Sequence, residues 1–219
     1  MRTPTLALTI AATLTADIAA AGPVTGSVKT LTRPGTPPSS AVVYAEPLDA
    51  APIRKPGAFT LTQKDKTFRP HILAVQTGST VEFPNEDTIF HNVFSLSGPQ
   101  PFDLGLYRAG ASRSKAFAQA GEYRVFCNIH PQMTALILVV ATPYVVRPGP
   151  DGRFVLDLPP GRYRLTAVSQ RAAPATGEVI ATAGTVDAPI LTLDETTWSD
   201  VRHKNKFGQE YPAAAYKDR

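Results

Sequence analysis

Residues that end regular secondary structure recur at short intervals along the whole chain. Of the 219 residues, 21 are proline and 15 are glycine, and they divide the sequence into short apolar runs. These runs are rich in Val, Thr, Tyr and Phe, which is typical of β-strands separated by turns. No window beyond the first 21 residues keeps a helical period for three turns. The pattern therefore predicts an all-β protein with little helix.

The predicted strands form two series. Between Ala58 and Val140 turns recur about every 8 to 12 residues, which predicts a sandwich or barrel. We assign two earlier strands, Val24–Leu31 and Ala41–Leu48, to this domain as an N-terminal extension, so that it spans 22–141. A second small β-sandwich is predicted over 142–194, where runs such as 153–158 alternate apolar and polar residues. The charged and aromatic remainder, 195–219, is predicted to be a C-terminal tail.

The first 21 residues resemble a secretory signal. Arg2 precedes an apolar run from Leu6 to Leu14, and three alanines end at Ala21, where we expect cleavage. Asp17 departs from the usual pattern. A transmembrane anchor needs about 20 uninterrupted apolar residues, and this segment has fewer. We predict an exported or periplasmic protein whose mature chain has no membrane span.

The net charge of +4 is spread evenly along the chain. No segment is basic enough to form a phosphate-binding face, so we expect no nucleic-acid partner.

Cys127 is the only cysteine. An unpaired thiol in an oxidising compartment is a liability unless something occupies it, and a bound metal would do so. Cys127 begins a Cys-x2-His-x2-Met spacing with His130 and Met133, on the turn between two predicted strands. A thiolate, an imidazole and a thioether form a soft ligand set that suits copper.

His91 is the candidate for the fourth ligand. It follows a turn at 85–87, and distant turns of a sandwich gather at one end, so we expect it to face the 127–133 loop. Two histidines and one thiolate with a long axial methionine are the arrangement expected of blue copper. Zinc remains an alternative because the set offers nitrogen and sulfur, but a thioether is a poor zinc ligand. A thiolate-bridged binuclear copper centre would need a second cysteine.

A longer motif surrounds these four residues and resembles the plastocyanin and amicyanin branch of the cupredoxins. The motif spans 65–141 and comprises Phe68-x-Pro70, Gly78-x-x-Val81-x-Phe83-x-Asn85-x-Asp87, His91-Asn92-Val93 and Gly121-x-Tyr123-x-Val125-x-Cys127-x-x-His130-x-x-Met133. The short loop from Cys127 to Met133 is similar to that of amicyanin. The resemblance implies a Greek-key cupredoxin sandwich that binds one type 1 copper ion.

The resemblance also implies a role for each site residue. Cys127 would be the strongly bound thiolate, His91 and His130 the neutral imidazoles that complete the plane, and Met133 the weak axial ligand. Asn92 would tie the two ligand loops together near the sulfur of Cys127. His130 would reach the surface, and Pro131 and Gln132 would border the electron exit.

Outside this motif, the chain resembles longer exported proteins described as methylamine-utilisation-like. These pair a cupredoxin domain with a transthyretin-like or carboxypeptidase-regulatory-like sandwich, which Asp151-Gly152-Arg153-Phe154 and Leu158-Pro159-Pro160-Gly161-Arg162-Tyr163 resemble. We infer copper binding from these resemblances and not methylamine metabolism.

The complete ligand set predicts a one-electron carrier that serves a redox protein partner such as a cytochrome or a dehydrogenase. The alternative is a periplasmic copper-handling protein without an electron-transfer role. Such proteins are rich in methionine and histidine, whereas Met133 is the only methionine besides Met1. We expect no enzymatic activity, because no nucleophile with a base and no second metal set is recognisable in the sequence.

Overall fold

The computed structural model describes residues 21–51, 53–199, 203–212 and 215. The predicted signal peptide lies outside the described residues except for Ala21. The first nine strands are β1 (Gly22–Leu31), β2 (Ala41–Pro47), β3 (Ala58–Thr60), β4 (Thr62–Lys64), β5 (Thr67–Arg69), β6 (Ile72–Gln76), β7 (Ser79–Pro84), β8 (His91–Ser95) and β9 (Phe102–Tyr107). The other nine are β10 (Ser112–Phe117), β11 (Gly121–Phe126), β12 (Thr134–Val140), β13 (Val145–Val146), β14 (Arg153–Leu158), β15 (Gly161–Ser169), β16 (Ala175–Ala181), β17 (Val186–Asp187) and β18 (Leu191–Asp194). The expected all-β class is confirmed.

The strands from β3 to β12 form a sandwich that carries its own core. Its five-stranded sheet has the order β6-β12-β11-β8-β9, its three-stranded sheet has the order β10-β7-β3, and β4 and β5 form a separate hairpin. In β7 every second side chain is buried, namely Ser79, Val81 and Phe83, as expected for a strand with one face on a core. The core between the sheets includes Phe68 and Tyr123.

The strand β12 is buried on both faces, which explains its continuous apolar sequence from Ala135 to Val140. Its odd-numbered side chains, such as Ile137, belong to the core of this first sandwich. Its even-numbered side chains, such as Leu136 and Leu138, belong to a second cluster with Val168.

The strands β1 and β2 pair with the C-terminal half of the chain. β1 is antiparallel to β14 and parallel to β17 and β18, and β2 lies between β13 and β15. These strands and β16 enclose a core that contains Val24, Val43, Phe154 and Leu165. The sequence-based grouping of β1 and β2 with the domain at 22–141 therefore needs correction, since their hydrogen bonds and apolar side chains lie in the second sandwich.

The two sandwiches are packed against each other. Val42 and Val168 of the second sandwich meet Ile72 and Leu136 of the first in a shared apolar cluster. The Arg147 guanidinium also donates a hydrogen bond of 2.7 Å to the carbonyl of Ile72. The second sandwich is therefore held to the first by both apolar and polar contacts.

The residues after β18 also pack on the folded chain. Glu195 is buried, and its carboxylate accepts hydrogen bonds from the Ser39 backbone N–H at 3.1 Å and from the Ser169 hydroxyl at 2.8 Å. The guanidinium of Arg171 lies 4.5 Å from the centre of the Trp198 ring. The predicted tail therefore begins as an anchored segment, while its last aromatic residue, Tyr216, lies outside the described residues.

Within the described ranges, no helix has the length and the apolar character that crossing a membrane requires.

Candidate metal centre

The side chains of His91, Cys127 and His130 converge at one end of the first sandwich. The sulfur of Cys127 lies 3.8 Å from Nδ1 of His91 and 3.8 Å from Nδ1 of His130. The two Nδ1 atoms lie 3.1 Å apart. In the part of the chain that the structure describes, this is the one group of three or more His, Cys, Asp or Glu side chains close enough to share a metal ion.

The dimensions of this triangle fit a metal ion. A point in its plane lies about 2.1 Å from all three atoms, within the range of about 2.0 to 2.3 Å for metal bonds to imidazole nitrogen and thiolate sulfur. The donor set combines one thiolate with two imidazoles, and a trigonal site of this composition suits copper.

The sheet brings the ligands together although they are distant in sequence. His91 is the first residue of β8, and Cys127 directly follows β11. These two strands are antiparallel neighbours, with Phe126 opposite Phe94, so the start of β8 and the end of β11 lie at the same end of the sheet.

The loop from Cys127 to Met133 is closed by its own backbone. The N–H of Met133 donates to the carbonyl of His130 at 2.9 Å, and the N–H of Cys127 donates to the carbonyl of Met133 at 3.2 Å. Met133 is fully buried in the same core cluster as Cys127. The fourth predicted ligand therefore lies beneath the loop, in the core of the sandwich.

Asp87 orients His91. Its carboxylate oxygen Oδ2 lies 2.7 Å from Nε2 of His91. An ionised carboxylate only accepts hydrogen bonds, so Nε2 of His91 must donate, which leaves the lone pair of Nδ1 free for a metal. The sequence places Asp87 in a turn and in the longer motif, but no contact with His91 was predicted. Its position four residues before His91 is the feature of the sequence that could have indicated this contact.

The same carboxylate holds a neighbouring turn. It accepts hydrogen bonds from the backbone N–H groups of Asp65 at 2.6 Å and Lys66 at 2.9 Å, at the tip of the β4–β5 hairpin. Partial burial would raise the pKa of Asp87, but the hydrogen bonds from Lys66, His91 and Asp65 outweigh it and lower this pKa. Asp87 therefore stays ionised and links His91 to the framework.

The thiol of Cys127 is buried. Burial raises its pKa, and hydrogen bonds from the backbone N–H groups of Asn92, Ile129 and His130 oppose this in part. A metal that binds the sulfur must therefore displace a proton, which makes metal affinity depend on pH.

The side chain of Asn92 has a different partner from the one expected. Its amide donates a hydrogen bond of 2.7 Å to Asp103 in β9, a strand that was not predicted from the sequence. Its carbonyl oxygen is buried and has no hydrogen-bond partner among the described residues. Asn92 contacts the sulfur of Cys127 through its backbone N–H, while its side chain ties β8 to β9.

The three residues that were predicted to form the electron-exit surface are not all exposed to solvent. His130 and Gln132 are half-buried, whereas Pro131 is buried and cannot border solvent as expected. The exposed apolar residue of this loop is Ile129, with 46% of its surface accessible, and Phe90 beside His91 is 54% exposed.

A C-terminal segment, residues 203–211, lies against the ligand loop. The ring of His203 stacks on Phe126 with 4.0 Å between the ring centres, and its Nε2 lies 2.7 Å from the carbonyl oxygen of Pro131. The Tyr211 hydroxyl donates a hydrogen bond of 3.3 Å to the carbonyl of Cys127. The sequence predicts a charged and aromatic tail here, and no local pattern indicates a contact with a loop more than 70 residues away.

No protein-family model matches this sequence, and no curated protein matches it either. Solved structures of three copper or cupredoxin proteins are similar in part. The copper-containing nitrite reductase of Thermus scotoductus SA-01 is 29% identical, with a TM-score of 0.37, over 43% of this chain and 25% of its own. The purple cupredoxin of Nitrosopumilus maritimus is 22% identical, with a TM-score of 0.34, over 37% of this chain and 98% of its own. Amicyanin of Paracoccus versutus is 23% identical, with a TM-score of 0.36, over 38% of this chain and 81% of its own.

The present chain thus spans a quarter of the nitrite reductase chain, and all three matches leave more than half of the present chain uncovered. Function is therefore inferred from the side chains of the site itself.

Proposed function

We propose that this protein is an exported blue copper protein that binds one copper ion and carries single electrons between redox proteins. His91, Cys127 and His130 would hold the ion, and Met133 would be the fourth and weakest ligand. The observation that carries this proposal is the triangle of 3.8, 3.8 and 3.1 Å between two imidazole nitrogens and the sulfur of Cys127.

Copper bound by such a set supplies a site that accepts and returns one electron. The chain's own contribution is to hold the ligands still. His91 is fixed by Asp87, Cys127 by backbone hydrogen bonds, and Met133 by burial in the core. A site whose ligands are held in this way changes little between the two oxidation states, which favours rapid electron transfer.

Electrons would pass through the exposed part of the ligand loops. Ile129 and Phe90 are exposed beside ligands from the two loops, and a redox partner protein would make contact there. The identity of the partner as a cytochrome or a dehydrogenase is part of the proposal, as is export through the first 21 residues. Recovery of the mature chain from the periplasm, with an N-terminus at Gly22, tests the export step.

The competing function is copper handling without electron transfer. A delivery protein must release its ion readily, whereas His91 and Cys127 are both fully buried here. Burial of two ligands slows release and therefore favours the carrier.

The decisive experiment adds Cu(II) to the purified mature protein and records the visible spectrum and the voltammogram. We expect an intense thiolate-to-copper band and a reversible one-electron wave. Cys127→Ser and His91→Ala should lose the band. His71→Ala is the matched control, because His71 is an exposed histidine outside the ligand set.

A wild-type protein that shows no such band contradicts the blue copper site. A protein that shows the band but no reversible wave, and that passes copper quickly to a chelator, establishes copper handling instead.

A further inference from the structure

The C-terminal segment, residues 203–211, contacts the ligand loop from Cys127 to Met133 at several points. Besides the contacts of His203 and Tyr211, the backbone N–H of Lys206 donates to Oδ1 of Asn128 at 3.0 Å. Three separate residues of the segment thus engage backbone or side-chain atoms of the loop that carries three of the four predicted ligands. A segment that merely passed over the surface would not make this set of polar contacts.

Lys206 also begins a chain of contacts that leads to the sulfur of Cys127. Its ammonium lies 2.7 Å from Oδ2 of Asp103, and Oδ1 of Asp103 accepts the 2.7 Å hydrogen bond from the side chain of Asn92. The backbone N–H of Asn92 in turn contacts the sulfur of Cys127. One carboxylate therefore connects the C-terminal segment to the residue beside His91.

The ammonium of Lys206 and the carboxylate of Asp103 carry opposite charges and lie close together. Three-quarters of the Lys206 side chain is removed from solvent, since 25% remains exposed, and Asp103 is 39% exposed. Partly buried charges are screened less than fully solvated ones, so removal of either partner leaves a net charge near the metal centre.

We propose that the C-terminal segment is a structural part of the metal centre and that Lys206 is a positioning residue, acting through Asp103 and Asn92 on the surroundings of Cys127. This inference rests on the proposed blue copper function. It goes beyond that function because it assigns part of the tuning of the site to Lys206, which lies outside the ligand motif at 65–141.

Because Lys206 and Asp103 carry opposite charges, the proposal predicts the sign of the change in reduction potential for each variant. Lys206→Met leaves the Asp103 carboxylate unpaired, and a negative charge stabilises Cu(II) over Cu(I), which lowers the reduction potential. Asp103→Asn keeps an acceptor for the side chain of Asn92 but leaves the ammonium unpaired, which raises the potential. We expect each to shift the ratio of the two copper affinities by about threefold to tenfold, where tenfold is about 59 mV for one electron.

Two further variants serve as controls. Lys206→Arg keeps the positive charge and a hydrogen-bond donor to Asp103, so it should keep the wild-type potential. Lys204→Met removes a positive charge from the same segment, but Lys204 is 61% exposed and lies 4.0 Å from Glu210, so it should leave the potential unchanged. Circular dichroism of each metal-free variant establishes that it folds.

Tryptic cleavage after Lys206 in the metal-free protein gives a readout that needs no copper. Asp103→Asn should speed this cleavage several-fold, because the ion pair no longer holds the side chain.

Shifts of opposite sign in the two variants, with Lys206→Arg like wild type, support the proposal. Shifts of the same sign, no shift, or an equal shift in Lys204→Met overturn it while the blue copper function stands. A wild-type protein without a reversible copper wave overturns both.

Discussion

The carboxylate of Asp87 lies 2.7 Å from Nε2 of His91, and the same carboxylate is bound by two backbone N–H groups of the β4–β5 hairpin. The ring of His91 is therefore oriented from outside the ligand set. Its Nδ1 faces the sulfur of Cys127 because its other nitrogen is held by a group that can only accept hydrogen bonds.

Asp87→Asn should weaken copper binding by about 10- to 100-fold, since an amide holds the ring less firmly and no longer favours the metal-binding tautomer. Competition with a chelator measures this affinity. Glu86→Gln is the matched control, because Glu86 is the adjacent carboxylate, is about half exposed and pairs with Lys64 at 3.2 Å. Equal loss of affinity in both variants would contradict the role of Asp87.

The axial position is tested by two substitutions at Met133. Met133→Leu keeps an apolar side chain in the core but removes the thioether, which destabilises Cu(II) more than Cu(I) and should raise the potential. Met133→Gln places a harder oxygen donor at the same position and should lower it. Voltammetry measures the reduction potentials of the two variants, and unchanged potentials in both would show that Met133 is not a ligand.

Asp103 should make stability depend on pH in acid. Partial burial would raise its pKa, but the contacts with Lys206, Asn92 and Gly105 outweigh this and lower it below the usual value of 3.8. A carboxyl with a lowered folded-state pKa stabilises the fold above the unfolded value, and this stabilisation is lost as the pH falls through the folded value. Urea unfolding of the metal-free protein should therefore show a steeper loss of stability below about pH 4 in wild type than in Asp103→Asn. Parallel pH profiles would contradict this.

The contact between the two sandwiches should contribute strongly to stability. Leu136 is 2% exposed and lies in the shared cluster with Val42 and Val168. Leu136→Ala should lower the free energy of unfolding by about 2 to 5 kcal/mol, through lost burial and a cavity. Ile190→Ala is the control, because Ile190 is 65% exposed and its truncation should cost little. Denaturant unfolding compares the two, and a similar small loss in both would show that the cluster is not tightly packed.

Features that depend on a local sequence pattern could be predicted from the sequence. The alternation in 153–158 predicted the strand β14 with the bounds that the structure has, and the Cys-x2-His-x2-Met spacing with His91 identified the three side chains that converge. The first signal is the period of a strand. The second combines the length of a single loop between two strands with one histidine 36 positions before Cys127.

The features that were missed depend on long-range pairing. The strand β1 pairs with β14, β17 and β18, which lie more than 120 residues away, and not with the strands that follow it. The local sequence of β1 does not indicate these partners. The strand β9 lies at the edge of its sheet and does not alternate cleanly between buried and exposed residues. The contacts of Lys206 and Tyr211 join residues that are 103 and 84 positions apart, where a single sequence carries no signal.

The placement of β1 and β2 has a consequence for the order in which the protein forms during synthesis. The core of the first sandwich uses only residues between Phe59 and Val139, so that unit has all its strands when the ribosome has passed Val140. The other core needs strands from both sides of this insertion, and such distant pairings form slowly. The strands β1 and β2 must therefore wait unpaired until the strands that follow the first sandwich have been made. The segment at 203–211 is translated after all of these strands, so it reaches a ligand loop whose surrounding strands are already complete.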